Sequence, residues 1–129
     1  KSSTKNYTLD INKNYDIIKK IKPDLIISFI YSRIIGKEIL DIPKYGAINL
    51  HRGLLPSYRG VAPLYWALKN KEKYVGVTIH FMSEKIDDTE RIIFQRKIKV
   101  MPRDTQDFLS LELIKIIAKN KNKLMMRLV

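Results

Sequence analysis

An α/β fold with a mostly parallel sheet is predicted by three features of the sequence. Segments with the apolar spacing of a helix alternate with short apolar segments of strand length. Residues 25–30 form an almost continuous apolar run, which is typical of a strand buried on both faces of a parallel sheet. Residues 77–82 alternate with the two-residue period of a strand. Together these features favour one α/β domain spanning residues 1–129.

Local signals place the elements of the first half. Residues 12–21 have helical spacing, and Pro23 ends this helix because proline lacks an amide hydrogen and restricts the residue before it. Residues 36–40 are predicted to form a short helix and residues 47–50 a second short strand. Pro63 suits the first turn of the next helix.

The second half is predicted to hold two strands and a long helix. Residues 77–82 and 92–100 are the strands, and residues 84–90 form an acidic turn between them. Asp104 is suited to cap the last helix, which runs toward a basic tail. The strand and helix that usually open a doubly wound domain have no counterpart before residue 12, so we expect the sheet to lack its first strands.

The composition excludes several classes of protein. There are no cysteines, which excludes disulfides and thiolate metal sites. No apolar run approaches the roughly 20 residues of a membrane span, and no signal peptide is evident, so we expect a cytoplasmic protein with no membrane contact. The net charge of +12 suits a phosphate-bearing partner, although scattered lysines on solvated faces explain it equally well.

Residues suited to chemistry follow the second predicted strand. Asn49 and His51 are two residues apart, so their side chains share one face of that strand. An amide beside an imidazole can stabilise a developing oxyanion, and the imidazole can also move a proton. The alternative is that both side chains only bond the backbone of the following loop.

A carboxylate on the acidic turn is the natural partner for this pair. Asp87 follows a strand, and it can orient an imidazole or accept a proton; the alternative is a solvated acidic turn. A metal held by His51 and His80 is not expected, because no paired spacing supports it and the strands are expected to separate them. Ser57 lacks the surroundings of a nucleophile, and no phosphate-binding glycine loop is present.

Taken together, these segments resemble the folate-dependent formyltransferases, a family that includes methionyl-tRNA, glycinamide ribonucleotide and sugar-nucleotide N-formyltransferases. The family pattern is similar to N-x-H-x-x-L-L-P-x-x-(R/K)-G, then G-V-T-(I/V)-H, then a turn of the I-D-T-G kind. The matching residues are Asn49, His51, Leu54, Leu55, Pro56, Arg59 and Gly60, then residues 76–80, then Ile86 and Asp87. The likeness covers about residues 23–113.

The resemblance implies a truncated Rossmann-like domain that moves a formyl group from 10-formyltetrahydrofolate to a primary amine without a metal. It implies that Asn49 and His51 hold the oxyanion, while Asp87 orients His51 and helps to remove the amine proton. It also implies a set of residues that contact the folate: Tyr31, Ser32, Arg33, Ile34, Ile35 and Ile86.

Two departures from the family pattern concern the site. Arg52 stands where family members usually have proline or alanine. In the turn, the glycine expected after Thr89 is missing, and the pattern D-T-x-x-I-I would select Asp88 as the catalytic carboxylate. The ungapped match from His51 to Ile86 instead favours Asp87, which leaves Asp88 as a solvated neighbour.

The acceptor is predicted from residues 63–70, which are most similar to the sugar-nucleotide formyltransferases. We therefore expect an amino-sugar nucleotide. Methionyl-tRNA, whose formylation serves protein biosynthesis, is the alternative that the charge of +12 suits. A non-catalytic remnant or folate-binding module is the alternative of another class, and the sequence leaves the oligomeric state open.

Overall fold

The computed structural model describes residues 10–128, which form a four-stranded sheet with helices around it. The strands are β1 (Ile26–Phe29), β2 (Ala47–His51), β3 (Tyr74–Phe81) and β4 (Ile92–Lys99), in that order across the sheet. β1 and β2 are parallel, whereas β3 is antiparallel to both β2 and β4.

The helices lie between and after the strands. A single 3₁₀ turn, Ile11–Asn14, leads into α1 (Tyr15–Ile21), and α2 (Lys37–Leu40) and α3 (Pro63–Lys69) follow. Two helices close the described part of the chain, α4 (Gln106–Lys119) and α5 (Lys121–Leu128). No helix within residues 10–128 combines the length and the apolar character needed to cross a membrane.

The α/β class is confirmed, but the expectation of a mostly parallel sheet is corrected, because the described sheet is mixed. With seven residues, α3 is about 10 Å long. This helix is too short to return the chain to the start of β2. The strand β3 therefore begins near the C-terminal end of β2 and runs antiparallel to it. The link between β3 and β4 is shorter than the crossover that a parallel neighbour requires, so β4 also returns antiparallel.

The core lies between β3 and the helix α4. Val77 and Ile79 of β3 are fully buried, and they belong to one apolar cluster with Leu109 and Leu113 of α4. The burial of this cluster is the main source of the stability of the domain. β3 is an inner strand of the sheet, and it pairs with β2, which carries Asn49 and His51.

Two local predictions are wrong. The run at residues 25–30 was expected to be buried on both faces, yet Ile27 and Phe29 of β1 are exposed, because β1 is an edge strand among the described residues and one face lacks a packing partner there. Thr105, and not Asp104, caps α4: its side chain accepts the amide hydrogen of Phe108, which lies three residues later. Asp104 instead accepts the amide hydrogen of Met101.

Candidate active site

One cavity of about 200 Å³ lies beside the carboxyl ends of β1 and β2, where open α/β sheets commonly bind ligands. All nine residues that the sequence nominated line it. They are Asn49, His51 and Asp87, together with Tyr31, Ser32, Arg33, Ile34, Ile35 and Ile86. The structure therefore brings together three segments that are far apart in the chain, and their roles stay predictions.

The polar end of the cavity is formed by β2 and the turn after β3. His51 Nδ1 lies 3.4 Å from Asp87 Oδ1, and the amide nitrogen of Asn49 lies 3.4 Å from the same oxygen. Asp87 is held by the amide hydrogen of Gly60, which bonds its other oxygen, Oδ2. Its backbone is in the left-handed region with φ of 47°, which aspartate and asparagine tolerate better than most residues.

Asp88 has a different role from the one expected. It is not a solvated neighbour, because it is buried and bonded on both oxygens. Oδ2 accepts the hydroxyl hydrogen of Ser83 at 2.8 Å, and Oδ1 accepts the amide hydrogen of Glu90 at 3.0 Å. These bonds hold the turn and lower the pKa of Asp88, with the Glu90 bond as the main cause. The carboxylate that faces His51 is therefore that of Asp87.

His51 is buried, and each of its ring nitrogens faces an oxygen of another residue. Nε2 lies 2.7 Å from the main-chain carbonyl oxygen of Tyr58, while Nδ1 faces Asp87. Burial lowers the pKa of His51, although the Tyr58 carbonyl and the charge of Asp87 oppose that fall. A ring with this environment favours the neutral form and gains a stabilising partner when it takes up a proton on Nδ1.

His80 is a member of the site to which the sequence assigned no role. It lies directly opposite Asn49 on the neighbouring strand, so the argument that strands separate it from His51 was wrong. Its Nδ1 faces the carbonyl oxygen of Phe81 at 2.9 Å, which leaves Nε2 to accept from the amide of Asn49 at 3.3 Å. The pattern G-V-T-I-H contains this histidine, but only the strand pairing shows that it orients Asn49.

The charge of Asp87 is favoured by its surroundings. Burial by itself would raise the pKa of Asp87, but the imidazole of His80, the amide of Gly60 and the charge of His51 together hold it below its ordinary value. A carboxylate stabilised in this way stays charged at neutral pH. Within residues 10–128, no group of three or more histidine, cysteine, aspartate or glutamate residues is arranged to hold a metal ion.

The lowered pKa of His51 predicts a loss of stability on mild acidification. The unfolded histidine titrates near 6.5, above the folded value, so the unfolded state binds more protons as the pH falls through that range. The urea midpoint should thus be lower at about pH 5 than at about pH 7.5. The pKa of Asp87 is also lowered in the folded state, so Asp87 adds to this loss of stability only when the pH falls below its ordinary pKa of 3.8. Urea titrations of the protein and of His51→Gln check this, and an equal pH dependence in both would contradict it.

Part of the cavity lining is apolar. Ile30, Ile34 and Ile86 form this part and are exposed by 67%, 53% and 58%, an unusual amount for isoleucine beside a cavity. The loop that carries Ile30 and Ile34 is held by the side chain of Asn12, which donates to the carbonyl oxygen of Ile34 and accepts the amide hydrogen of Gly36. This part of the lining is suited to a flat apolar ligand face.

Arg52, the departure from the family pattern, is held by Ser110 and Phe29, which do not belong to the cluster of Asn49, His51 and Asp87. Its guanidinium donates to the Ser110 hydroxyl at 2.6 Å and lies over the ring of Phe29 at 5.7 Å. Arg33 is similarly occupied, with an ion pair to Asp10 at 3.1 Å. The cationic groups at the cavity rim are thus held by protein partners.

The fold and the clustered side chains define a Rossmann-like α/β domain of the formyltransferase type. The phosphoribosylglycinamide formyltransferase of Streptococcus pneumoniae TIGR4 shares this fold, with a TM-score of 0.76 at 20% identity over 99% of this chain and 71% of that chain. The chain belongs to the formyl transferase family, whose pattern it matches over residues 1–128.

Two further relatives differ in the molecules that their descriptions name. The methionyl-tRNA formyltransferase of Clostridium tetani (strain Massachusetts / E88) is 49% identical over 84 residues, which are 65% of this chain and 27% of that protein. The formyltransferase PseJ from Anoxybacillus kamchatkensis was solved with UDP-4,6-dideoxy-4-formamido-L-AltNAc and tetrahydrofolate, and it is 31% identical with a TM-score of 0.67 over 81% of this chain and 56% of that chain. The chain spans 15% of the length of one curated relative that it matches and 33% of another.

Proposed function

We propose that this chain carries the transfer site of an N-formyltransferase, which moves a formyl group from 10-formyltetrahydrofolate to a primary amine. The observation that supports it most directly is that the side chains of Asn49 and His51 each lie 3.4 Å from the same oxygen of Asp87 in the lining of a cavity. On this proposal, residues 1–129 form part of a formyltransferase domain.

The reaction requires charge to be stabilised at the formyl oxygen and a proton to be moved. Attack by the amine places negative charge on that oxygen, and the amide hydrogens of Asn49 are the donors available to it. In the structure, the two amide hydrogens are directed to His80 and Asp87. During transfer, the amide therefore gives up its long contact with Asp87, at 3.4 Å, and donates that hydrogen to the formyl oxygen. His80 keeps the amide plane in position during this exchange.

His51 moves the proton in this proposal. The amine loses a proton to Nδ1 of His51, directly or through water, and Asp87 stabilises the imidazolium that forms. The imidazolium adds to the stabilisation of the formyl oxygen. As the bond between the formyl carbon and the donor nitrogen breaks, the same proton passes to that nitrogen, so the residues end the cycle as they began it.

On this proposal, the formyl donor occupies the cavity as a substrate. The apolar side chains of Ile30, Ile34 and Ile86 are suited to the face of a pterin ring, and the polar cluster lines the same cavity. Tyr31, Ser32, Arg33 and Ile35 complete the loop on that side. A stable analogue of 10-formyltetrahydrofolate should therefore bind between the loop after β1 and the turn after β3.

Replacing Ile34 with aspartate is expected to weaken this binding at least about tenfold, because it removes apolar contact and places a charge against the ligand. Calorimetric titration with the analogue measures the change in Kd. Ile21→Asp is the matched control, since Ile21 is as exposed but does not line the cavity. An unchanged affinity in Ile34→Asp would show that the formyl donor does not bind beside Ile34.

We propose an amino-sugar nucleotide as the acceptor. Tyr65 and Trp66 follow Pro63 on the helix that starts at the cavity, and both rings are exposed. They meet edge to face, with centroids 5.3 Å apart, and the ammonium of Lys69 lies 4.9 Å from the Trp66 ring. Exposed rings next to a cation are suited to a nucleobase and its phosphates.

Methionyl-tRNA is the second candidate, favoured by the net charge of +12 and by the similarity to methionyl-tRNA formyltransferases. A transfer assay with a panel of amino-sugar nucleotides and charged tRNA separates the two. Transfer to a sugar nucleotide alone supports the first proposal, and transfer to tRNA alone, with an affinity that falls steeply with added salt, supports the second. If no acceptor is formylated although the folate analogue binds, the chain is a non-catalytic folate-binding module.

A further inference from the structure

The orientation of His51 depends on the loop that follows β2. Seven residues after His51, the main-chain carbonyl of Tyr58 returns to within 2.7 Å of the ring nitrogen Nε2. A carbonyl oxygen only accepts hydrogen bonds, so Nε2 carries a hydrogen and donates it. The neutral ring then has its free lone pair on Nδ1, the nitrogen that faces Asp87 at 3.4 Å.

The side chain of Tyr58 is itself held by two hydrogen bonds. The Tyr58 hydroxyl donates to Oε1 of Glu72 at 2.6 Å and accepts from the amide of Asn70 at 3.2 Å. Both partners come from the connection between α3 and β3. The Tyr58 backbone has φ of 54°, a left-handed conformation that tyrosine seldom adopts without support from the rest of the fold.

Gly53 shows how closely the fold is packed around this bond. A Cβ atom at position 53 would lie 2.9 Å from Nε2 of His51 and 3.1 Å from the carbonyl oxygen of Tyr58. It would also meet Cβ of Pro63 at 2.8 Å. Only glycine leaves room there for the ring and the carbonyl to meet.

We propose that Tyr58 is a positioning residue for His51: its carbonyl selects the ring tautomer that carries hydrogen on Nε2, so that the proton moved during transfer is exchanged at Nδ1. Without this carbonyl, the neutral ring would instead place its hydrogen on Nδ1 and donate it to Asp87. No lone pair would then be available beside the carboxylate. The tautomer follows from the contacts alone, whereas its catalytic consequence rests on the proposed function.

The other groups that act on His51 belong to different elements. Asp87 comes from the turn after β3, His80 from β3 itself, and Arg52 follows His51 in the chain. The bonds of the Tyr58 hydroxyl involve none of them. A change at Glu72 or at the Tyr58 hydroxyl therefore alters the Nε2 contact while these groups stay in place.

The tautomer is measurable by nitrogen-15 NMR of the imidazole rings above the ordinary pKa of histidine, and the chain has only two histidines to assign. We expect His51 to carry its hydrogen on Nε2, and Tyr58→Phe, which removes only the hydroxyl, to shift the tautomer ratio about tenfold toward Nδ1, the scale of one lost hydrogen bond. His80, whose Nδ1 faces the Phe81 carbonyl at 2.9 Å, is the internal reference and should not change.

Two further variants keep the test decisive. Glu72→Ala, at an exposed position, should reproduce the shift, whereas Glu72→Gln retains an acceptor oxygen and should stay close to the unchanged protein. Tyr74→Phe removes an exposed hydroxyl elsewhere and should have no effect. Folded Tyr58→Phe and Glu72→Ala proteins with the original tautomer would overturn the proposal.

Activity gives a second readout that separates this proposal from the proposed function. Where transfer is measured, Tyr58→Phe should lower kcat about tenfold, and the acid limb of its pH profile should move to lower pH, because the Tyr58 carbonyl favours the protonated ring. If the original protein shows no transfer but the tautomer shifts as expected, the positioning role stands and the proposed function fails.

Discussion

Replacing Asp87 with asparagine is expected to lower kcat by about 100-fold or more, the usual scale for one acid–base group. Asparagine keeps the shape and tolerates the left-handed backbone, with φ of 47°. Its oxygen can still accept the Gly60 amide hydrogen. The loss is the negative charge 3.4 Å from His51, which stabilises the imidazolium in the proposed mechanism. Steady-state kinetics with saturating formyl donor measure the effect.

Asp88→Asn is the matched control for this experiment. Asparagine can accept the Glu90 amide hydrogen with its oxygen and donate its own amide hydrogen to Ser83, so the turn keeps both bonds. We expect a fall in kcat of less than about tenfold, together with an unchanged fold by circular dichroism. A large loss in Asp88→Asn with a small loss in Asp87→Asn would reverse the assignment. Small losses of kcat in both variants would show that neither carboxylate takes part in the mechanism.

Replacing Asn49 with alanine is expected to lower kcat by about 10² to 10³, the measured scale for the loss of one oxyanion donor. His80 cannot replace the amide as donor, because its Nε2 acts as an acceptor toward this amide. Asn49→Asp should be slower still, since a carboxylate of nearly the same shape would repel both the formyl oxygen and Asp87. The expected order of kcat is therefore the original protein, then the alanine variant, then the aspartate variant.

Asn122→Ala provides the control for the amide, since Asn122 is exposed on α5, outside the cavity. It should leave kcat unchanged. Thermal unfolding of all three variants separates a kinetic effect from a loss of folded protein. If Asn49→Ala retained activity within about tenfold, or if the aspartate variant were the faster of the two, the amide would not be the oxyanion donor.

Several parts of the fold and the site could be predicted from the sequence because they depend on local pattern. The positions of α1, α2, α3 and β2 follow from apolar spacing and proline, which act within a few residues. Asn49 and His51 could be assigned to one face because alternate residues of any strand share a face. The ordered motifs then nominated the loop at residues 31–35 and the turn at Ile86 and Asp87, all of which line the cavity.

The sequence by itself determined the α/β class, the family and the segments that form the site. Only the tertiary structure decided that the sheet is mixed, that Asp87 and not Asp88 faces His51, and that His80 contacts Asn49 while the Tyr58 carbonyl contacts His51. The physical reason is the range of the interactions involved. Periodicity and turn chemistry act between neighbours in the chain, whereas the partners of His51 and Asn49 are set by strand register and by loops that return from residues up to 38 positions away.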